Sequence, residues 1–124
     1  MAKTALLVDT DIFIDYFNRG RYSSVLDSSD VVLYYSVVTK KELLAKRGLR
    51  EAEERSILEE LKRFRMVAVT DAIARRFSQV RANHPSLERA DALIAASALV
   101  KRLVLLTGNR RHFRLVTGLA LFDP

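Results

Sequence analysis

Asp9 and Asp11 directly follow the apolar run Ala5-Leu6-Leu7-Val8, Glu42 lies in Ser36-Val-Val-Thr39-Lys-Lys-Glu42-Leu, and Asp91 lies in Glu88-Arg-Ala-Asp91-Ala-Leu-Ile-Ala-Ala-Ser-Ala. A fourth polar segment, Thr107-Gly108-Asn109-Arg110-Arg111-His112-Phe113, follows another apolar run that ends at Leu106. Taken singly, each has an ordinary explanation. Asp9, Thr10 or Asp11 can cap a helix, Glu42 can pair with Lys46 one turn on, Asp91 suits the start of a helix, and a polar loop with Gly makes a turn. Taken together, they describe carboxylates that repel one another unless a hard cation neutralises them. Magnesium or manganese is the expected occupant, because both favour oxygen ligands. A cation held by carboxylates lowers the pKa of bound water and stabilises charge on phosphoryl oxygens, which is the chemistry of phosphodiester hydrolysis.

The charge balance points the same way. The chain carries a formal net charge of +6, and a basic domain attracts polyanions. No Asp or Glu occurs between Ala92 and Phe122, whereas Lys101, Arg102, Arg110, Arg111 and Arg114 are basic. With no cysteine, disulfides, zinc–thiolate sites and thiol nucleophiles are excluded. The apolar run before Asp9 is too short for a signal peptide or a membrane span, so a soluble, cytoplasmic protein is expected. A length of 124 residues with 49% hydrophobic residues suits a single domain, residues 1–124, with a real core.

Such acids can act together only if the fold gathers them, and the pattern of elements offers a way. Strands are predicted at 5–8, 31–35, 66–69 and 103–106, with a short fifth at 119–122. Helices are predicted at 11–18, 21–28, 37–47 with Gly48 as C-cap, 51–64, after a cap at Thr70 or Asp71, and at 87–101. The alternation predicts a three-layer α/β/α sandwich around a mainly parallel sheet. Ligands of such sheets bind beyond the carboxyl ends of the strands, which directs attention to Asp9, Ser36 and Thr107-Gly108-Asn109. At roughly 100° per residue, Ser36, Thr39 and Glu42 share one helical stripe, where hydroxyls can orient the carboxylate.

These four segments, in this order over nearly the whole chain, resemble a PIN domain of the VapC toxin type. The resemblance implies an α/β/α sandwich, RNA cleavage with magnesium or manganese, a homodimer, and a small antitoxin as partner. By motif position it makes Asp9, Glu42 and Asp91 the metal-binding, catalytic acids. Asn109 would orient water at the metal, with Thr107, Ser36 and Asp11 in support and Arg110 and Arg111 on the RNA backbone. Many relatives carry a further acid where this chain has His112. That departure leaves a second metal site incomplete and suits His112 to phosphate or to manganese instead.

Two other classes compete. Asp9-Thr-Asp11 after an apolar strand is similar to the start of haloacid-dehalogenase-like phosphatases, but those need an acidic pair after a later strand, where this chain has a basic loop. A PIN-like module that binds RNA or protein with little catalysis is the alternative favoured by His112. A basic helix-turn-helix domain is disfavoured by the four strand-like runs.

Overall fold

A computed structural model describes residues 3–124. Leu6, Leu7 and Val8 are fully buried, and this dictates the architecture: a strand apolar at every position needs cover on both faces. Their strand, β1 (Thr4–Val8), is central. It pairs in parallel with β2 (Val31–Ser36) on one side and β4 (Val104–Leu106) on the other, and β3 (Arg65–Val67) lies outside β2, giving the order β3-β2-β1-β4. Alternate side chains then enter different layers. Leu6, Val8, Leu33, Tyr35 and Leu106 pack with Ile12 and Phe13 of α1 (Thr10–Arg19), Leu26 of α2 (Ser23–Leu26), Leu43 of α3 (Val37–Leu44) and Leu61 of α4 (Glu51–Leu61). Leu7 and Leu105 face Ile73 and Val80 of α5 (Asp71–Asn83), the alanines of α6 (Arg89–Lys101) and Phe113 of α7 (Arg110–Phe113). The expected three-layer sandwich with a parallel sheet is thus the observed one.

The small residues of α6 have a packing purpose. Ala92, Ala95, Ala96 and Ala98 are all buried, which lets this helix lie close against the sheet and α5 and brings its first turn up to the strand ends. β1 leads to β2 on one side, whereas its other neighbour, β4, is reached only late in the chain. The crevice between β1 and β4 is therefore the topological switch point, where open α/β sheets bind ligands.

Some element boundaries differ from expectation for identifiable reasons. The second predicted helix shrinks to Ser23–Leu26 because Tyr22 sits in the left-handed region at φ 66°. α3 ends at Leu44 with Ala45 as its C-cap, rather than running to residue 47 with Gly48 as the cap, and Gly48 instead turns the chain three residues later at φ 74°. α4 stops at Leu61 because the following turn delivers Phe64 into the core before β3. Thr70, not Asp71, caps α5, its hydroxyl accepting from Ile73 N–H at 3.2 Å. The expected fifth strand is a single parallel bridge, Leu105 with Leu121, since β4 is only three residues long. Among the described residues no helix is long and apolar enough to cross a membrane.

Phe13 is fully buried and meets Phe17, Tyr35 and Phe64 at centroid distances of 5.8, 6.3 and 5.3 Å. It joins α1, β2 and the end of α4. Phe13→Ala is expected to cost about 3–5 kcal/mol in urea unfolding, a large share of the roughly 5–15 kcal/mol that a domain has.

Candidate active site

The site begins where the β1–β4 ladder runs out. The N–H of Asp9 donates to Leu106 O at 2.9 Å, extending the ladder one residue beyond β1 and fixing the Asp9 backbone beside Thr107. Asp9 is also the N-cap of α1, its Oδ1 accepting from Thr10 N–H at 2.8 Å. Its Oδ2 accepts from the Thr107 hydroxyl at 2.7 Å, a fully buried contact, and Thr107 Oγ1 in turn accepts from Asn109 N–H at 3.0 Å. The capping and site explanations for Asp9 therefore coexist. Burial pushes the Asp9 carboxyl up to about 7; the charges of Asp11 and Asp91 push the same way, and the two hydrogen bonds oppose them.

Asp11 lies one step along α1. Its Oδ2 accepts from Gly108 N–H at 3.0 Å, while its Oδ1 is buried and has no hydrogen-bond partner. A buried carboxylate oxygen left empty is costly unless something else occupies it. Burial is also the main reason that its carboxyl is raised.

The third and fourth acids arrive on other elements. Asp91, in the first turn of α6, is half-buried and raised first by that burial, then by the charges of Glu88, Glu42 and Asp11; the His112 imidazole opposes them. Glu42, on α3, is exposed, and its Oε1 accepts from the Thr10 hydroxyl at 2.7 Å. Thr10 Oγ1 also lies 2.9 Å from the hydroxyl of Thr39, which is fully buried. The fold thus brings Asp9, Asp11, Glu42 and Asp91 to one edge of the sheet, near enough for their charges to interact. Among the described residues no three His, Cys, Asp or Glu groups converge tightly enough to enclose an ion by themselves. The donor set nevertheless fits a hard divalent cation. It consists of carboxylate oxygens, one of them orphaned, in acids whose proximity is unfavourable without a counter-charge.

The other expected residues divide. Thr107 joins the site directly through Asp9. Asn109 lies at the start of α7, and its Nδ2 meets His112 Nδ1 at 2.8 Å. This contact ties the His112 ring to the Asn109 side chain. Ser36 is buried, and its hydroxyl caps α3 by accepting from Val38 N–H at 3.2 Å, so the stripe of Ser36, Thr39 and Glu42 does not act as a unit. Arg110 donates to Phe122 O at 2.7 Å and so holds the final segment, whereas Arg111 is exposed. Two further residues belong to the site: Thr10, whose sequence context offers only a capping role between two acids, and Gly108, whose context offers only a turn.

Gly108 has no left-handed φ; its need is steric. A Cβ there would lie 2.6 Å from Asp11 Oδ2. Gly108→Ala is expected to drive the Asp11 carboxylate off the Gly108 N–H and to cost about 1.5–3 kcal/mol in urea unfolding, the worth of a hydrogen bond to a charged group.

The raised Asp9 carboxyl also has a sign that can be tested. The folded chain keeps a proton up to about pH 7 that an ordinary Asp, at 3.8, has released. The contribution of Asp9 to metal-free stability is therefore fully present below the ordinary value and is lost as pH rises through this window, by roughly a few kcal/mol. Asp11 and Asp91, also raised, add in the same direction. Urea midpoints between pH 4 and 8 in chelator are expected to fall for the native chain and to fall less for Asp9→Asn, which should be the more stable of the two at pH 8.

Comparison with known proteins agrees with this geometry. Residues 6–119 match the PIN domain family model. Ribonuclease VapC10 of Mycobacterium tuberculosis is 37% identical, with 87% of this chain and 85% of the relative covered. Ribonuclease VapC1 of Methanocaldococcus jannaschii is 29% identical, with 98% and 89% covered. Among solved structures, VapBC-1 from nontypeable Haemophilus influenzae superposes with a TM-score of 0.83 at 20% identity, covering 97% of this chain and 98% of that one. VapBC2 from Rickettsia felis, bound to a DNA fragment from the promoter, gives 0.82 at 16% identity, covering 98% and 99%. With the sheet order, the acids at its carboxyl edge and these matches in hand, the chain belongs to the PIN-domain family, among the VapC-type ribonucleases.

Proposed function

We propose that the chain is a metal-dependent endoribonuclease, the toxin of a toxin–antitoxin pair, acting in the cytoplasm with Mg2+ or Mn2+. The observation that carries this reading is the gathering of Asp9, Asp11, Glu42 and Asp91 at the β1–β4 switch point, with Asp9 held up to about 7 and an Asp11 oxygen unpaired. Asp9, Glu42 and Asp91 would hold the cation, and Asp11 is the acid best placed to assist. When bound, the cation activates water and neutralises charge developing on the scissile phosphate. The protein's own groups do the rest. Thr107 fixes the Asp9 carboxylate, the Thr10 hydroxyl holds Glu42, and Asn109 holds the His112 ring. Arg111 meets the RNA backbone from the exposed face of α7; Arg110, occupied by Phe122 O, is the weaker candidate.

The partner reading rests on a groove of about 860 Å³ beside the site. Ile14, Phe17, Leu43, Leu49 and Ile57 line it, together with Asp27, Glu42, Glu53 and Glu60. Asp27 and Glu60 are paired with Arg63 and Glu53 with Arg50, so the apolar lining, with Glu42 at its edge, is what suits an amphipathic segment of a small antitoxin. That other chains of this fold were solved as toxin–antitoxin complexes, one of them from Klebsiella pneumoniae at 26% identity, supports such a partner. A homodimer is part of the same proposal. A catalytically weak RNA- or protein-binding module is the second reading, favoured by His112 standing in place of an acid.

The test uses purified chain free of antitoxin, labelled structured RNA, and buffer with chelator, Mg2+ or Mn2+. Cleavage is expected only with metal, and Asp91→Ala should lower it by more than about 100-fold, beyond the loss typical of a residue that merely supports a ligand. Folded protein that cleaves none of several RNAs with either metal would leave the binding module standing.

A further inference from the structure

We propose that Thr39 and Thr10 form a directed hydroxyl chain that positions Glu42 for the reaction, so that a fully buried threonine controls an exposed acid. The inference rests on the nuclease reading for its consequence, but its geometry stands independently. Thr10 Oγ1 lies 2.7 Å from Glu42 Oε1 and 2.9 Å from Thr39 Oγ1. A hydroxyl has one proton, and an ionised carboxylate can only accept. The Thr10 proton must therefore point at Glu42, which leaves its lone pair to accept from Thr39. The direction Thr39 to Thr10 to Glu42 follows from proton counting alone. Each donation polarises the next, strengthening the last bond in the chain.

The three residues come from two elements. Thr10 opens α1 between Asp9 and Asp11, whereas Thr39 and Glu42 are three residues apart on α3. The chain therefore ties the acid of α3 to the segment that carries the two acids beside β1. Glu42 needs such a tie. It is exposed, its side chain has several rotatable bonds, and Thr10 is the one side-chain partner it has among the described residues. Thr39, by contrast, is fully buried on the adjoining turn of the same helix and is a rigid anchor. Thr10 and Thr39 are positioning residues, not catalytic ones: neither has to touch the substrate.

Isosteric substitutions separate positioning from packing. Thr39→Val and Thr10→Val keep the shape and remove the hydroxyl; Thr39→Ser and Thr10→Ser keep the hydroxyl. The first measurement needs no metal and no activity: NMR scalar couplings of the Glu42 side chain in the metal-free protein, with thermal unfolding to check the fold. A single Glu42 rotamer in the native chain and both Ser variants, averaged in both Val variants, is expected. The second is Mn2+ affinity by electron paramagnetic resonance together with RNA cleavage. Both Val variants should lose about 10- to 100-fold in metal affinity or kcat, with KM for RNA little changed, and both Ser variants should recover most of it. Thr39→Val that folds, keeps one Glu42 rotamer and binds Mn2+ like the native chain overturns the proposal. Rotamer averaging in the Val variants of a native chain that neither binds Mn2+ nor cleaves RNA upholds the hydroxyl chain and sinks the nuclease reading alone.

Discussion

The burial of one carboxylate organises this molecule. Asp9 is 6% exposed, held between the Thr107 hydroxyl and the Thr10 N–H at the end of a strand whose last three residues are fully covered. An apolar sheet is a poor place for a negative charge, and the raised carboxyl is the measure of that. The remaining architecture keeps the group there. β1 and β4 share the backbone bond that fixes its Cα, α1 starts from it, and the alanines of α6 let Asp91 approach. A site assembled in this way is unfavourable when empty. On the proposed function, a cation bound there would add to folding stability as well as to chemistry, because it would remove the repulsion that the fold has built in.

This arrangement explains the division between residues that hold the acids and residues that only hold the fold. Thr107 and Ser36 both follow apolar strands and both are buried, yet their hydroxyls do different things. Thr107 donates across the switch point to Asp9, while Ser36 accepts from Val38 N–H to start α3. The difference is topological. β4 lies beside β1 at the switch point, so its terminal loop faces Asp9 and Asp11; the end of β2 feeds directly into a helix, which claims the hydroxyl as its cap.

What the sequence makes legible follows the same physics. The strong apolar runs identify β1, β2 and β4, and their ends identify Asp9 and the Thr107 loop, because burial on both faces leaves an unmistakable local pattern. The edge strand β3, expected at 66–69, runs Arg65–Val67: Arg65 gives no apolar signal, and the exposed Val69 lies beyond the pairing with β2. The break at Tyr22 was invisible because a left-handed tyrosine carries no composition cue. Helical spacing points to Glu42 and offers Ser36 and Thr39 as its support, but Ser36 caps α3, Thr39 reaches the acid only through Thr10, and the hydroxyl in contact is that of Thr10, which is 32 residues away. Contacts between distant segments of this kind have no period to betray them. Gly108 is a similar case: its lack of a side chain matters only because Asp11 is folded against it.

The charge asymmetry read from the sequence acquires a meaning in three dimensions. The segment from α6 to the final bridge is free of acids from Ala92 to Phe122, and it packs on one face of the sheet and around β4. The opposite layer, α1 to α4, carries the groove edged by Asp27, Glu42, Glu53 and Glu60. Acids and bases are nearly balanced across α1 to α4, so the net charge of +6 comes largely from the acid-free stretch, where Lys101, Arg102, Arg110, Arg111 and Arg114 would attract a polyanion. The two sides meet at Glu42, which lines the groove and also stands in the field that raises Asp91. On the proposed function, an amphipathic segment seated in the groove competes for the same carboxylate that the cation requires. Occupation of the groove and activity of the site are then opposed through one side chain, with no change of fold needed to connect them.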